Sequence, residues 1–419
     1  MTQSASTLSS ANVIDLRETV IAAIESHRDA LITLSKEIHA NPEIAMQEIR
    51  ASRACADFLE ARGFAVEKPV SGLETAFRAT ASGGAGPSIA YLSEYDALPG
   101  LGHGCGHNLI AIAGIGAGLG LKAALGSLAG NVTVFGTPAE EAIGGKAYMV
   151  EAGLFATIDA AMGAHPGTSE AVVPTVEGSG QALACQGLRI EFRGKAAHAA
   201  ADPYNGVNAL NAIVELFNGI NALRQHVRSD ARIHGIITDG GTAPNVVPAF
   251  AAGDFLVRAQ TMTYMNELVA KVRRIAEGAA LITGAELSFI FSEKPSYDMI
   301  TNHLLARRVK FHLDDLGLQM AEARAEEGSG STDWGNVSYE VPSVETGFPI
   351  LDRVCTWHSE DVVAAADSAL GYDNTMTVAK AMALAGVDLL LDPELLTEVR
   401  RSFEATRAER GAPVGLGPR

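Results

Sequence analysis

A glycine-rich segment at residues 100–108 carries the side chains best suited to chemistry, a thiol at Cys105 and an imidazole at His107. Glycine lets a backbone approach a small ion closely, and a thiolate beside a neutral imidazole suits a borderline-soft divalent metal. The competing interpretation is a tight turn with a buried thiol. The spacing by itself therefore permits a metal site without establishing one.

Further candidate ligands stand elsewhere in the chain, namely the adjacent pair Glu140 and Glu141, then His165, and far downstream His358. Together with the thiol and imidazole they are about as many ligands as two water-bridged divalent ions require. Adjacent glutamates can divide the work, because one can bind metal while the other stays free as a general base. The alternative for this pair is a solvated helix start, where carboxylates are favoured.

The elements that must position these residues are apolar strands predicted at residues 89–92, 131–136 and 160–164. Glu94 and Asp96 follow the first strand, the glutamate pair follows the second, and a histidine follows the third. Helical patterns alternate with these strands, which favours an α/β fold with a mostly parallel sheet covered by helices. Ligands bind beyond the carboxyl ends of such strands, where all these polar residues fall.

Periodicity predicts helices at residues 12–40, 44–62 and 302–316 and short strands at residues 64–70 and 73–80. Residues 109–130 are apolar enough to suggest a membrane span, but their small side chains and Lys122 favour a buried helix. Four alternating glycines in this helix resemble a dinucleotide fingerprint, yet the third glycine of that motif would fall on Leu119. The last dozen residues are expected to form a disordered tail.

The pattern changes after about residue 186. Between residues 187 and 295 the predicted elements follow the order β-α-β-β-α-β, a ferredoxin-like arrangement that can form its own small domain. A chain of 419 residues is also long enough for two domains. The sequence therefore predicts a metal-binding catalytic domain made of residues 1–186 and 296–419, with the smaller domain inserted at 187–295.

Composition narrows the functional classes. The chain has 32 basic and 49 acidic residues, a formal net charge of −17, and 47% hydrophobic residues. A field of that sign repels phosphate backbones and anionic membranes, so we expect neither nucleic acid nor a membrane as partner. Four scattered cysteines are too few for a disulfide framework and no signal segment is recognisable, so we expect a cytoplasmic protein.

Several motifs are distinctive as a set: Glu37-Ile38-His39-Ala40-Asn41-Pro42-Glu43, Asp96-Ala97-Leu98-Pro99, Gly104-Cys105-Gly106-His107-Asn108, Gly136-Thr137-Pro138-Ala139-Glu140-Glu141, Gly163-Ala164-His165, Gly194-Lys195-Ala196-Ala197-His198-Ala199 and Pro244-Asn245-Val246-Val247-Pro248. With them the chain resembles, over most of its length, the co-catalytic metallo-aminoacylase and carboxypeptidase family. Within that family it is similar to the amidohydrolase branch of hippurate, indole-3-acetyl-amino-acid and p-aminobenzoyl-glutamate hydrolases.

The resemblance implies a metal-dependent enzyme that cleaves the amide bond of an N-acyl or N-aroyl amino acid, or of a dipeptide-like conjugate, and releases an amino acid. It implies two divalent ions per subunit, held by Cys105, His107, Glu141, His165 and His358. Zinc fits the softness of thiolate and imidazole best, with manganese or cobalt as alternatives. The resemblance also implies Glu140 as general base and Asp96 as an acid that orients a ligand imidazole.

The same resemblance implies that the inserted domain is a lid and a dimerisation domain. His198 resembles a histidine that reaches the active site of the partner subunit and binds the oxyanion, so a homodimer is expected. Asn245 and Arg258 match lid positions that hold the substrate carboxylate, a task that suits a guanidinium fork. Asn108 stands where most of the branch has an acid, as in the p-aminobenzoyl-glutamate hydrolase subgroup.

Two alternatives remain open at this point. The chain could be an exopeptidase that prefers unmodified dipeptides to N-acyl substrates. It could also be a non-catalytic member that binds a conjugate without turning it over, although the retained Glu140 argues against this.

Overall fold

The computed structural model describes residues 10–142, 144–325 and 330–413. The described residues form two compact units. The first unit takes those within Met1–Gln181, Ile300–Gly328 and Asn336–Gly411, and the second takes those within Ala182–Met299 and Ser329–Gly335.

The helices, in chain order, are α1 (Ser10–Ser26), α2 (Arg28–Ala40), α3 (Ile49–Glu60), α4 (His107–Ala124), α5 (Gly145–Glu151), α6 (Ala209–Leu223), α7 (Met262–Thr283), α8 (His303–Asp315), α9 (Trp334–Ser338), α10 (Glu360–Ala365), α11 (Ala369–Leu391) and α12 (Pro393–Arg410). The strands are β1 (Ala65–Glu67), β2 (Phe77–Ser82), β3 (Ser88–Glu94), β4 (Asn131–Thr137), β5 (Ala160–Gly167), β6 (Val172–Val173), β7 (Ala184–Arg193), β8 (Arg232–Asp239), β9 (Phe250–Ala259), β10 (Glu286–Phe291), β11 (Ala321–Glu322) and β12 (Ser343–Pro349).

The first unit is built on a sheet with the strand order β1-β2-β4-β3-β5-β12. Strands β4, β3, β5 and β12 run parallel to one another, whereas β1 and β2 pair antiparallel at one edge. Strand β3 is buried along all but its first residue, as expected for a parallel strand covered on both faces. The predicted α/β fold with a mostly parallel sheet is therefore confirmed.

Helix α4 packs directly against this sheet because its glycines remove side chains at the contact. A Cβ atom on Gly114 would lie 2.4 Å from the carbonyl oxygen of Leu92 in β3, and one on Gly120 would lie 2.7 Å from Ile24 of α1. The alternating glycines therefore serve close packing. Helices α4 and α11 have the length and composition of membrane spans, but 89% and 67% of their apolar windows are buried inside the protein.

Two predicted helices begin or break at different residues in the structure. The predicted helix at residues 12–40 is interrupted at His27, whose φ of −104° and ψ of 0° separate α1 from α2. Helix α3 begins only at Ile49, because the Glu43 carboxylate caps the backbone N–H groups of Arg50 and Ala51. The preceding residues form a bridge between Ile44 and Ala97 instead of a helical turn.

The prediction of a disordered tail over the last dozen residues is wrong where it overlaps α12. That helix continues to Arg410 and begins with an Asp392 cap, whose side chain accepts from the N–H groups of Glu394 and Leu395. Residues 414–419 lie outside the described residues.

The second unit has the element order β7-α6-β8-β9-α7-β10 and an antiparallel sheet in the order β10-β7-β9-β8. Alternate residues of β7, including Leu188, Ile190 and Phe192, are buried in a core shared with α6 and α7. The intervening Arg189 and Glu191 lie on the opposite face and pair with each other at 2.8 Å. These are the elements and the order predicted for the inserted segment.

Candidate metal centre

Neighbouring parallel strands deliver the candidate donors to one edge of the first unit's sheet. Strand β3 ends at Glu94 and is followed by Asp96, strand β4 is followed by Glu140 and Glu141, and strand β5 carries His165 near its end. Because β4, β3 and β5 are adjacent and parallel, their carboxyl ends meet at the same edge.

Left-handed glycines shape the loop that brings Cys105 and His107 to this edge. Gly100, Gly102 and Gly106 have φ values of 74°, 86° and 77°, a region that favours glycine. Gly106 precedes α4, so His107 is the first residue of that helix. The turn buries the thiol of Cys105 and the whole of His107.

Asp96 fixes the orientation of His107. One oxygen of the Asp96 carboxylate lies 3.0 Å from Nδ1 of His107, while the other accepts the backbone N–H of Glu141 at 3.0 Å. The free ring nitrogen, Nε2, then lies 3.6 Å from Glu94 Oε2 and 3.9 Å from Glu141 Oε1. Burial opposes protonation of the ring, but the Asp96 carboxylate and the Cys105 thiolate raise the pKa of His107 well above its ordinary value.

The sulfur of Cys105 lies among nitrogen atoms. His165 Nε2 is 3.4 Å from Sγ, and the indole N–H of Trp357 donates to Sγ at 3.2 Å. Burial of the thiol opposes its ionisation, yet the neighbouring His165 and His107 lower the pKa of Cys105 well below its ordinary value. The thiolate that ligates a metal is therefore the favoured form of this side chain.

Glu141 connects these residues to the C-terminal histidine. Its Oε1 atom lies 3.3 Å from Nε2 of His358, which is half exposed and has a φ of 57°. The donor atoms fall into three groups, each within 4.8 Å: Cys105, His107 and His165; Cys105, Glu141 and His358; His107, Glu140 and Glu141. The groups share members, so the donors form one continuous cluster.

The cluster has the chemistry of a site for divalent metal. Among the described residues, His107 Nε2, Glu141 Oε1 and Glu94 Oε2 are buried atoms without a hydrogen-bond partner. Leaving a polar atom buried and unpaired costs about 1–3 kcal/mol, more for a charged group. A cation beside these atoms removes that cost, and thiolate, imidazole and carboxylate are the ligands that zinc and related ions take.

A buried ion pair adjoins the cluster. The ammonium of Lys146 in α5 lies 2.7 Å from Glu94 Oε1, and both side chains are almost fully buried. The sequence places Glu94 at a strand end, but nothing in it links this carboxylate to a lysine of a later helix. The pair leaves the second Glu94 oxygen facing His107.

The three predicted lid residues lie in the second unit. Exposed His198 accepts the N–H groups of Ala200 and Ala201 at its Nδ1, at 3.2 and 3.1 Å. A backbone bridge joins its segment to that of Asn245, whose carbonyl accepts the N–H of Ala199 at 3.0 Å. One terminal guanidinium nitrogen of Arg258 in β9 donates a hydrogen bond to the Ser331 hydroxyl at 3.3 Å.

Asn108 turns away from the donor cluster. Its side-chain amide donates to the Ser35 hydroxyl of α2 at 2.9 Å and to the carbonyl of Ala366 at 2.8 Å. The presence of Asn108, where most of the amidohydrolase branch has an acid, therefore affects how α4 is attached to its neighbours. It does not change which groups lie beside the donor cluster.

Comparison with known proteins identifies the family. Residues 185–283 match the family described as a peptidase dimerisation domain. A solved Bacillus subtilis protein, described as a dinuclear metal binding peptidase from the M20 family, matches with a TM-score of 0.60 at 22% identity, over 84% of this chain and 98% of that one. The Mus musculus Xaa-Arg dipeptidase is 37% identical over 420 residues, which covers 96% of this chain and 95% of that protein. The chain belongs to the M20 peptidase family.

A second relative of this M20 protein comes from bacteria. One of the subunits of the Escherichia coli p-aminobenzoyl-glutamate hydrolase is 30% identical over 456 residues, covering 91% of this chain and 93% of that protein. The predicted family and its amide-hydrolysing, metal-binding enzyme class are confirmed by these relatives together.

Replacing Lys146 with Met leaves the Glu94 carboxylate buried without its cation. We expect a loss of about 3–5 kcal/mol in the free energy of unfolding of the metal-free protein, measured by urea denaturation. Lys310→Met is the control, because that ammonium pairs with Asp314 on a partly exposed helix surface and its loss costs about 1 kcal/mol or less. Equal stability of the two variants would contradict the importance of the buried pair.

Proposed function

We propose that this M20 protein hydrolyses the amide bond of dipeptide-like or N-acyl amino acid substrates at a centre of two divalent ions, and releases a free amino acid. The observation that carries the proposal is the adjacent glutamate pair. Glu141 belongs both to the group with Cys105 and His358 and to the group with His107, whereas Glu140 belongs to the group with His107 alone among these donor groups. One carboxylate can therefore hold metal while its neighbour handles a proton.

The residues that would hold the ions are those of the donor cluster: Cys105, His107, Glu141, His165 and His358. Bound divalent ions polarise a substrate carbonyl and make water a stronger nucleophile at neutral pH. The thiolate and imidazole donors favour zinc, and manganese or cobalt can occupy related sites. We assign this catalytic role to the first compact unit, and the lid and dimerisation roles to the second.

Glu140 carries out the proton transfers in this proposal. The Glu140 carboxylate lies in one donor group with His107 and Glu141. One donor atom from each of these three residues lies within 4.8 Å of the other two. In the proposed reaction Glu140 accepts the proton of the attacking water and returns it to the nitrogen of the leaving amine. Asp96 keeps His107 oriented and fixes the backbone that carries the glutamate pair.

His198 supplies a donor for the oxyanion that develops on the substrate carbonyl. Because Nδ1 of His198 accepts two backbone N–H groups, the neutral ring carries its proton on Nε2. A pre-oriented N–H of this kind stabilises charge that appears in the transition state. We propose that it acts in the active site of the partner subunit of a homodimer, which the match to a peptidase dimerisation domain supports.

Arg258 and Asn245 bind the carboxylate of the substrate in this proposal. A guanidinium fork suits a carboxylate, and the Nε atom of Arg258 is buried without a hydrogen-bond partner among the described residues. A free carboxylate is common to dipeptides, N-acyl amino acids and aminobenzoyl-glutamate. We place the enzyme in the cytoplasm, because its four cysteines are scattered along the sequence and are free of disulfide bonds.

The substrate class is tested with a mixed library of dipeptides, including Xaa-Arg and Xaa-Lys, with N-acyl amino acids and with p-aminobenzoyl-glutamate. We expect release of free amino acids, detected by mass spectrometry, and its loss when the terminal carboxylate of the substrate is amidated. Preference for unmodified dipeptides would assign the chain to the dipeptidases. A metal-loaded protein inert to the whole library would make it a non-catalytic binder.

The variants Glu140→Ala and Cys105→Ser separate the two functions of the centre, which are proton transfer and metal binding. Glu140→Ala should keep its metal and lose hydrolysis by about two to four orders of magnitude, the usual contribution of general acid–base catalysis. Cys105→Ser should lower the metal content after gel filtration, measured by inductively coupled plasma mass spectrometry, because a hydroxyl is a poorer ligand than a thiolate. Full metal content and activity in Cys105→Ser would remove the thiol from the centre.

Mixed dimers of Glu140→Ala and His198→Ala subunits test whether His198 acts in the partner's site. Each mixed dimer then contains one complete site, so co-expression should restore about a quarter of wild-type activity from two nearly inactive parents. If His198 acts within its own subunit, every site carries a lesion and the mixture stays inactive.

A further inference from the structure

Glu140 lies in a loop whose backbone is held on both sides by buried carboxylates. On its C-terminal side, Asp96 accepts the N–H of Glu141 at 3.0 Å. On its N-terminal side, Oε1 of Glu48 accepts the N–H of Ala139 at 2.9 Å. Glu48 comes from the start of α3, 91 residues earlier in the chain.

The residue that Glu48 holds is in a strained conformation. Ala139 has a φ of 61°, in the left-handed region where an L-residue other than glycine costs roughly 1–2 kcal/mol. Such a residue persists only where its surroundings impose the conformation. Ala139 is fully buried, and its carbonyl accepts the N–H of Gly144 at 2.9 Å.

The Glu48 side chain does not cap helix α3, although Glu48 directly precedes that helix. Its side chain makes no capping hydrogen bond, and the Glu43 carboxylate bonds the first N–H groups of that helix instead. The Glu48 side chain is fully buried, and its second oxygen has no hydrogen-bond partner among the described residues. Burial raises the pKa of Glu48 to about 7.

Burying a carboxyl group is energetically costly, so Glu48 needs a structural role in the fold. Its hydrogen bond with the Ala139 N–H provides that role. Asp96 and Glu48 approach the loop from two different segments and leave Glu140 between two fixed peptide groups. Losing either acceptor allows the backbone on that side of Glu140 to relax. On the Glu48 side, relaxation also relieves the strained φ of Ala139.

We propose that Glu48 is a positioning residue for Glu140: by accepting the Ala139 N–H it imposes the left-handed turn that aims the catalytic carboxylate. This inference rests on the proposed role of Glu140 as general base. Among the described residues Glu48 makes no hydrogen bond to the donor cluster, so its effect passes through the backbone of the loop.

Glu48→Met and Glu48→Gln form a matched pair. Methionine has a similar size and no acceptor oxygen, so this variant should lower kcat by about tenfold to a hundredfold, as small misplacements of catalytic groups do. Its KM and metal content should stay within about twofold of wild type. Glutamine keeps an acceptor oxygen and should retain most of kcat. Glu43→Gln, on the same segment and bonded to α3, is the control and should leave kcat unchanged.

Hydrogen exchange of the Ala139 amide gives a readout that does not depend on activity. Measured by mass spectrometry with residue resolution, exchange should be faster in Glu48→Met than in wild type, Glu48→Gln and Glu43→Gln. If Glu48→Met fails to fold, Glu48→Asp, which is one methylene shorter, replaces it with the same expectations.

The outcomes separate this inference from the proposed function. Wild-type exchange at Ala139 in Glu48→Met, or an unchanged kcat, would overturn the role of Glu48. A drop in kcat equal in Glu48→Gln and Glu48→Met would also overturn it, because the acceptor oxygen would then not matter. If wild type hydrolyses nothing in the library, the proposed function fails, and the exchange measurement still decides whether Glu48 holds the turn.

Discussion

The two hydrogen bonds of the Asp96 carboxylate are the contacts on which the donor cluster depends. One oxygen lies 3.0 Å from the His107 ring and the other takes the N–H of Glu141 at the same distance. The carboxylate thereby joins the end of β3, the first turn of α4 and the loop after β4. Burial opposes ionisation of Asp96, but His107 lowers its pKa below the usual value, so the acceptor stays charged.

The three central strands of the sheet and the candidate donors that follow them could be predicted from local sequence patterns, whereas the set of metal ligands was implied by the resemblance to a family. Buried parallel strands are apolar runs, and donors at their carboxyl ends must converge. The supporting residues have no such pattern. Nothing in the sequence around Lys146 or Glu48 distinguishes these charged residues from surface ones. Their partners, Glu94 and Ala139, lie far away in the sequence, so only the folded chain identifies them.

The elements that the sequence did not predict were decided by tertiary contacts. Strand β12 mixes polar residues with Val344 and Phe348 and ends in a proline. This is unlike the apolar central strands and fits an edge strand that pairs, among the described strands, with β5 alone. The break at His27 lies within continuous helical periodicity. Both helices contact α4, and beyond it α1 packs against α11 and α2 against α3. The glycines of α4 resemble a dinucleotide-binding motif in their spacing. In the structure their contacts allow close packing of the helix instead.

Metal binding and folding are coupled in this centre through charge. The carboxylates of Glu94 and Asp96 and the thiolate of Cys105 are withdrawn from water in one small region, where the Lys146 ammonium pairs with Glu94 and the His107 ring, whose pKa these anions raise, lies beside Asp96. Divalent ions bound by these groups take the place of protons as the counter-charge, and because they bind the folded state they also stabilise the fold around the cluster. The acidic chain, with its net charge of −17, adds a long-range field that concentrates cations near the protein. The same excess of negative charge that disfavours nucleic acids as partners therefore favours the ions that the chemistry requires.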